Sequence, residues 1–243
     1  MAFYLNKSGG LTPIEHYEPM AWDHIYDYEH QKHQLYANTK ALVEGRTFQH
    51  ALLVGASGTG KSSSVKGVVQ AFGHQKLRLI QLHKGQMERL PKLLNTLAKS
   101  AFKFILFFDD LSFEVNEDSC KLLKTYMEGG VTDVAGNIAF YVTTNRRHLI
   151  KEVRSEREGD IHLADFIQEM TSLSKRFGLT LTYEGLTQKA FFTMVQQMLE
   201  ENQMFMEREE MEVKARQWSL RNGGMSGRVA RQFVADIQMK DGE

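Results

Sequence analysis

At 243 residues with 42% apolar side chains, the chain can build one α/β domain, or a main domain with a small appendage, around a real core. Lysine plus arginine equals aspartate plus glutamate at 30 each, which excludes a global field drawing the chain to nucleic acid or an anionic membrane and leaves only local basic patches. The single cysteine, Cys120, excludes an intramolecular disulfide framework and a multi-thiolate zinc site. The opening "MAFYLNKSGG" lacks a charged start followed by a long apolar core, and no run approaches the roughly 18–20 apolar residues that cross a bilayer. A soluble, cytoplasmic protein without a membrane partner is expected.

Residues 1–45 read as a leading segment followed by a helix from about Tyr28 to Glu44, stopped by Gly45. Apolar runs then alternate with helical stretches. Strands are expected at "HALLVG" (50–55), "LRLIQL" (77–82), "FILFF" (104–108), "NIAFYVTT" (137–144) and "GLTLTY" (178–183). Helices fall after Gly60, through "LPKLLNTLAK", near 116–128 and near 163–175. The alternation predicts an α/β fold: a five-stranded parallel sheet with helices on both faces, filling 46–184. From Leu186 onward apolar residues recur only at helical spacing, so 185–243 reads as a small all-helical lid.

"LLVGASGTGKSS" contains Gly55-x-x-x-x-Gly60-Lys61-Ser62, a complete Walker A pattern that follows a strand and opens a helix. Its residues, Gly55, Ala56, Ser57, Gly58, Thr59, Gly60, Lys61, Ser62 and Ser63, form a candidate phosphate cradle. Glycines allow tight turns and close backbone approach, the helix N-terminus offers N–H groups to phosphate, Lys61 reaches the outer phosphates and Ser62 can hold Mg²⁺. In "KFILFFDDLSF" two aspartates end a buried strand, where like charges side by side cost energy unless a cation or substrate sits there. Asp109 then reads as the Mg²⁺-side carboxylate and Asp110 as the group that orients or deprotonates an attacking water.

These features together resemble an AAA+ ATPase over nearly the whole chain. "YANTKALVEGR", "DDLSF", "LKTYMEGG", "TTNRRHLI", "SLSKRFGL" and "GMSGRVARQF" more closely resemble a bacterial AAA+ family, the domain-of-unknown-function eight-fifteen family. The resemblance implies ATP as ligand and Mg²⁺ as cofactor. It implies that Asn145 is the sensor-1 residue near the γ-phosphate, that Arg176 completes the active site of a neighbouring copy in a homo-oligomer, and that Arg228 is the sensor-2 lid arginine. It also implies a base pocket near the leading segment, with Trp22, Ile25 and Tyr26 as candidates.

Two further patterns carry less. His30 and His33 share one helical face without a convincing third metal ligand. Arg146, Arg147 and His148 could contact a neighbouring subunit or DNA phosphate, while "EVRSEREGD" (152–160) reads as a mixed-charge surface loop. Where unfoldases of this superfamily carry an aromatic pore-loop residue, the chain has "HKGQME". The resulting expectation is slow ATP hydrolysis at subunit interfaces, coupled to remodelling or loading of a macromolecular partner. The alternatives are a nucleotide-sensing switch with negligible turnover, since Asp110 is one methylene shorter than glutamate, and a DNA-dependent ATPase.

Overall fold

The structure, a computed structural model, describes residues 1–6, 9–15, 20–112, 118–127, 135–145, 168 and 171–241. The loop expected over 152–160 and Arg146, Arg147 and His148 lie outside these residues, as does most of the helix expected near 163–175. The strands are β1 (Ala2–Leu5), β2 (Leu11–Pro13), β3 (Ala51–Gly55), β4 (Leu77–Leu82), β5 (Lys103–Phe108), β6 (Ile138–Thr144) and β7 (Leu179–Tyr183). The described helices are α1 (Glu29–Val43), α2 (Lys61–Ala71), α3 (Leu90–Ala98), α4 (Asp118–Met127), α5 (Gln188–Glu201), α6 (Arg208–Arg221) and α7 (Gly227–Asp241).

Among the described residues the sheet has seven strands in the order β2-β1-β4-β5-β6-β3-β7, not the five expected. The five expected strands are all present and parallel to one another; the extra pair comes from the first thirteen residues. β1 lies parallel to β4, pairing Ala2 with Leu79 and Tyr4 with Gln81, and β2 returns antiparallel to β1. Four residues are too few to show a period-2 pattern, but Ala2 and Leu5 are almost fully buried, and that burial holds the strand in place. Pro13 lacks an N–H, which suits a place on the edge strand.

The near-continuous apolar strands follow from burial on both faces. Along β5, Phe104, Leu106 and Phe108 join Leu90, Leu93 and Leu97 of α3 and Leu123 of α4 on one side. Ile105 and Phe107 join Leu35 and Leu42 of α1 and Val65 and Val68 of α2 on the other. A third apolar cluster is built from Phe191, Val195, Met211, Ala215, Val229 and Phe233 of α5–α7, so the C-terminal helices have a core of their own.

Two polar attachments bear on function. The Tyr141 hydroxyl on β6 lies 2.7 Å from that of Thr39 and accepts from Asn38 Nδ2 at 3.1 Å, fastening α1 beneath the sheet. The "HKGQME" stretch forms a 3-10 turn over Lys84–Arg89 with Met87 buried. Gln86 Nε2 donates to the Leu5 carbonyl at 2.6 Å and Arg89 donates to that of Asn6 at 3.0 Å, so the β1 end of the hairpin pins this turn.

β3 and β7 approach so closely that a Cβ on Gly55 would lie 2.1 Å from the Tyr183 carbonyl oxygen, a backbone atom that cannot swing aside. Gly55→Ala should therefore lose about 1–3 kcal/mol, read as a lower urea midpoint. Gly73→Ala, with nothing within 4 Å of the added methyl, should change stability by no more than about 0.5 kcal/mol.

Candidate functional site

The loop from Gly55 to Gly60 leaves the C-terminal end of β3 and returns as α2. Gly58 (φ +81°) and Gly60 (φ +93°) take left-handed conformations that side chains resist, which explains glycine at both positions. Thr59 Oγ1 closes the loop by donating to the Ala56 carbonyl at 2.9 Å, and Ser64 Oγ donates to the Gly60 carbonyl at 3.0 Å. Lys61 opens α2 and folds back, with Nζ donating to the carbonyls of Gly55 (2.7 Å) and Ala56 (2.8 Å) and to Asn145 Oδ1 (3.0 Å). All three ammonium donors are thus used. Burial depresses the Lys61 pKa, and Asp110 and Asp109 partly offset that by favouring its charged form.

The two aspartates leave the end of β5 beside β6. Ser62 Oγ donates to Asp109 Oδ1 at 2.5 Å, and Thr143 Oγ1 donates to the same oxygen at 2.8 Å. The Thr143 hydroxyl also accepts the Asp110 N–H at 2.8 Å, and its carbonyl accepts the Leu111 N–H at 2.8 Å. Asp110 adopts φ +52°, a left-handed conformation that costs a residue with a Cβ roughly 1–2 kcal/mol and that aspartate tolerates better than most. That turn swings its carboxylate away from Asp109 and toward Asn145, whose Nδ2 donates to Asp110 Oδ1 at 2.8 Å. One carboxylate therefore faces Ser62, and the other faces Asn145, whose Oδ1 accepts from Lys61.

The C-terminal helices close over this loop. Ser226 caps α7, its Oγ accepting the Val229 N–H at 3.3 Å, which puts Arg228 in the first turn. A Cβ on Gly58 would lie 3.0 Å from Ser226 Oγ and 3.7 Å from Arg228 Cβ, so the loop tip and α7 are in van der Waals contact. An arginine in a first helical turn opposes the helix dipole, a cost that an anion nearby reverses. The cleft enclosed, about 380 Å³, brings Ser57, Gly58, Gly60, Lys61, Ser62, Ser63, Asp109, Asp110, Asn145 and Arg228 together.

A second, small apolar cleft adjoins it, bordered by Ile25, Tyr26, Leu186, Met194 and Met198. Ile25 is buried, its Cδ1 lying against α2 where a Cβ on Gly67 would be only 2.5 Å away. Tyr26 turns its hydroxyl to donate to Glu201 of α5, and burial raises its pKa. Trp22 instead packs on Tyr36 at a 5.9 Å ring separation. Arg176 is not part of either cleft. It follows the helical turn containing buried Leu173 and precedes buried Phe177, at the N-terminal end of β7. The glycine loop leaves the opposite end of these parallel strands, about 16 Å away along a five-residue strand.

Sequence reasoning missed Thr143, Arg231 and Gln232, which also line the main cleft. Each had a signal. Thr143 and Asn145 are two apart where the fourth expected strand ends, the spacing that keeps side chains on one face, and Arg228, Arg231 and Gln232 stand at i, i+3 and i+4 on one helix face.

The donor set suits a divalent cation and phosphates: one hydroxyl and one carboxylate converge at 2.5 Å, beside a lysine and a helix N-terminus. The profile of the family described as "Protein of unknown function (DUF815)" matches residues 1–241. The chain belongs to this family. The DUF815 chain is also similar in structure to the Thermotoga maritima RuvB Holliday junction branch migration motor, with a TM-score of 0.59 and 18% identity over 90% of this chain and 64% of that one. It is similar to a Walker-type ATPase of Pyrococcus abyssi (TM-score 0.56, 16% identity, 91% of this chain and 71% of that one). The Aeropyrum pernix Orc1 protein, solved in complex with DNA, gives 0.54 and 12% over 87% of this chain and 65% of that one. The chain thus spans about two-thirds of the length of the RuvB and Orc1 chains. At these identities the likeness is one of fold, and the fold is that of the AAA+ P-loop ATPases.

Thr143→Val removes the hydroxyl at nearly constant volume, leaving the Asp110 N–H without its partner and Asp109 with one donor fewer. A loss of about 1–3 kcal/mol in urea unfolding is expected, with Thr143→Ser staying closer to wild type. A Val variant as stable as wild type would remove Thr143 from this account.

Proposed function

We propose that the protein is a Mg²⁺-dependent ATP hydrolase of the AAA+ type. The observation that carries the reading is the convergence of Ser62, Asp109, Thr143, Asp110, Asn145 and Lys61 in one cleft, with the two carboxylates aimed at different partners. Ser62 and Asp109 would hold Mg²⁺, which when bound neutralises phosphate charge and orients the outer phosphates. Lys61 would exchange its loop carbonyls for phosphate oxygens, and the N–H groups of the loop and of Ser62 and Ser63 would cradle them. Asp110, steered by its left-handed backbone and by Asn145, would hold the attacking water and accept its proton. Arg228 would reach the outer phosphates from α7, with Ile25 and Tyr26 beside the base. The lid would run over 185–243, after the core of 46–184.

Arg176, at the far end of β7 from its own cleft, suits a role in a neighbouring copy's site. This supports an oligomer in which ATP is hydrolysed between subunits. The work done would be remodelling or loading of a macromolecular partner. Support for that choice over threading a polypeptide comes from the 84–89 turn, which has no exposed aromatic and is tied to the N-terminal hairpin. Nucleic acid is a candidate partner by analogy with the DNA complex of the similar Orc1 protein. Among the described residues no helix is long and apolar enough to cross a membrane.

Asp110→Asn keeps shape and removes the base. It should bind ATP as wild type does and hydrolyse it at least about 10²-fold more slowly, measured as phosphate release under saturating Mg²⁺ and ATP. Unchanged turnover in that variant would refute the assignment of Asp110.

A further inference from the structure

We infer that Arg231 is a second lid arginine of the nucleotide site, gripping the phosphate next to the ribose whether the ligand is a di- or a triphosphate. The inference rests on the nucleotide reading above and names which part of the ligand each lid arginine senses.

A nucleotide is a linear object, ordered base, ribose, then the first, second and third phosphates. The two adjoining clefts line up with its ends: one, about 380 Å³, is polar and bordered by Lys61 and both aspartates, and the other, about 20 Å³ and so too narrow for a base until its walls part, is apolar and bordered by Ile25, Met194 and Met198. Among the described residues, only Gly60, Ser63 and Arg231 border both. A side chain at that boundary faces the junction of ribose and first phosphate. Of these two clefts Arg228 borders the polar one alone, and it lies about 4.5 Å nearer the start of α7 than Arg231. The two arginines therefore address different phosphates.

The present partner of Arg231 on α2 is weak. Its Nη2 stands 3.5 Å from Ser63 Oγ, at the limit of a hydrogen bond, whereas a guanidinium bound to a phosphate oxygen closes to about 2.7–2.9 Å. On its outer side Arg231 borders a third cleft with Tyr26 and Glu201, the pair that ties the leading segment to α5. A phosphate at Ser63 would thus draw together α2, α7 and the leading segment through one guanidinium. Since the first phosphate is common to ADP and ATP, this grip would keep the lid closed in both states. The difference between them would be left to Arg228.

The test is isothermal titration of ADP and of a non-hydrolysable ATP analogue, each with Mg²⁺, into the full chain and its variants. Arg231→Met retains the apolar stem and should weaken both ligands equally, by about 10- to 100-fold, the range for one charge-assisted hydrogen bond. Arg231→Lys should restore part of both affinities. Arg228→Met should weaken the ATP analogue more than ADP. Undiminished binding of both ligands to Arg231→Met, or a loss confined to the ATP analogue, would overturn the inference. Should the Met variant fail to fold, Arg231→Lys decides, by an equal loss on both ligands or none. Failure of the wild-type chain to bind either nucleotide would instead overturn the nucleotide reading itself.

Discussion

The hydroxyl of Thr143 is the pivot of the site. Two adjacent carboxylates at the end of a buried strand repel each other, and a regular strand would simply send them to opposite faces. Thr143 donates to one carboxylate and accepts the backbone N–H of the other, so the chain turns at Asp110 and both groups stay at the cleft. Lys61, buried and fully hydrogen-bonded, supplies the compensating charge. This arrangement requires β6 to lie between β5 and β3, because Thr143 sits on β6 and Asn145 just after it, the aspartates follow β5 and the loop follows β3. Sheet order and site chemistry are in this sense the same constraint.

The lid and the leading segment depend on that constraint at one remove. The glycine loop can meet α7 at Gly58 only because the loop is held low by Thr59 and Lys61, and α7 can bring Arg228 and Arg231 there only because Ser226 caps it at the point of contact. Ile25 and Tyr26 complete the enclosure from the other side, one against α2 and one against α5. At the opposite edge of the sheet, β1 and β2 serve a different purpose. They cover β4 and fix the 84–89 turn, converting a stretch that could project from the molecule into part of its frame.

Much of this was legible in the sequence, for physical reasons. Strands buried on both faces are long apolar runs, so "FILFF" and "IAFYVTT" announce themselves, and the glycine-rich loop is recognisable because few residue types tolerate its backbone. β1 was not legible: its four residues owe their conformation to the exposed edge of β4 and to burial of Ala2 and Leu5. The direction of the two aspartates was not legible either, since it depends on a left-handed Asp110 and on a hydroxyl 33 positions away. Thr143 and Arg231 were readable from strand and helix periodicity, yet their importance emerges only when β5, β6, α2 and α7 are brought side by side.

The division of labour between the aspartates is the central claim, and Mg²⁺ dependence of ATP binding tests it most directly. Titration of a non-hydrolysable ATP analogue with and without Mg²⁺ should show that the ion tightens binding in the wild-type chain and in Asp110→Asn. In Asp109→Asn, which lacks the charge beside Ser62, the ion should give little or no gain. Equal Mg²⁺ enhancement in all three proteins would contradict the account.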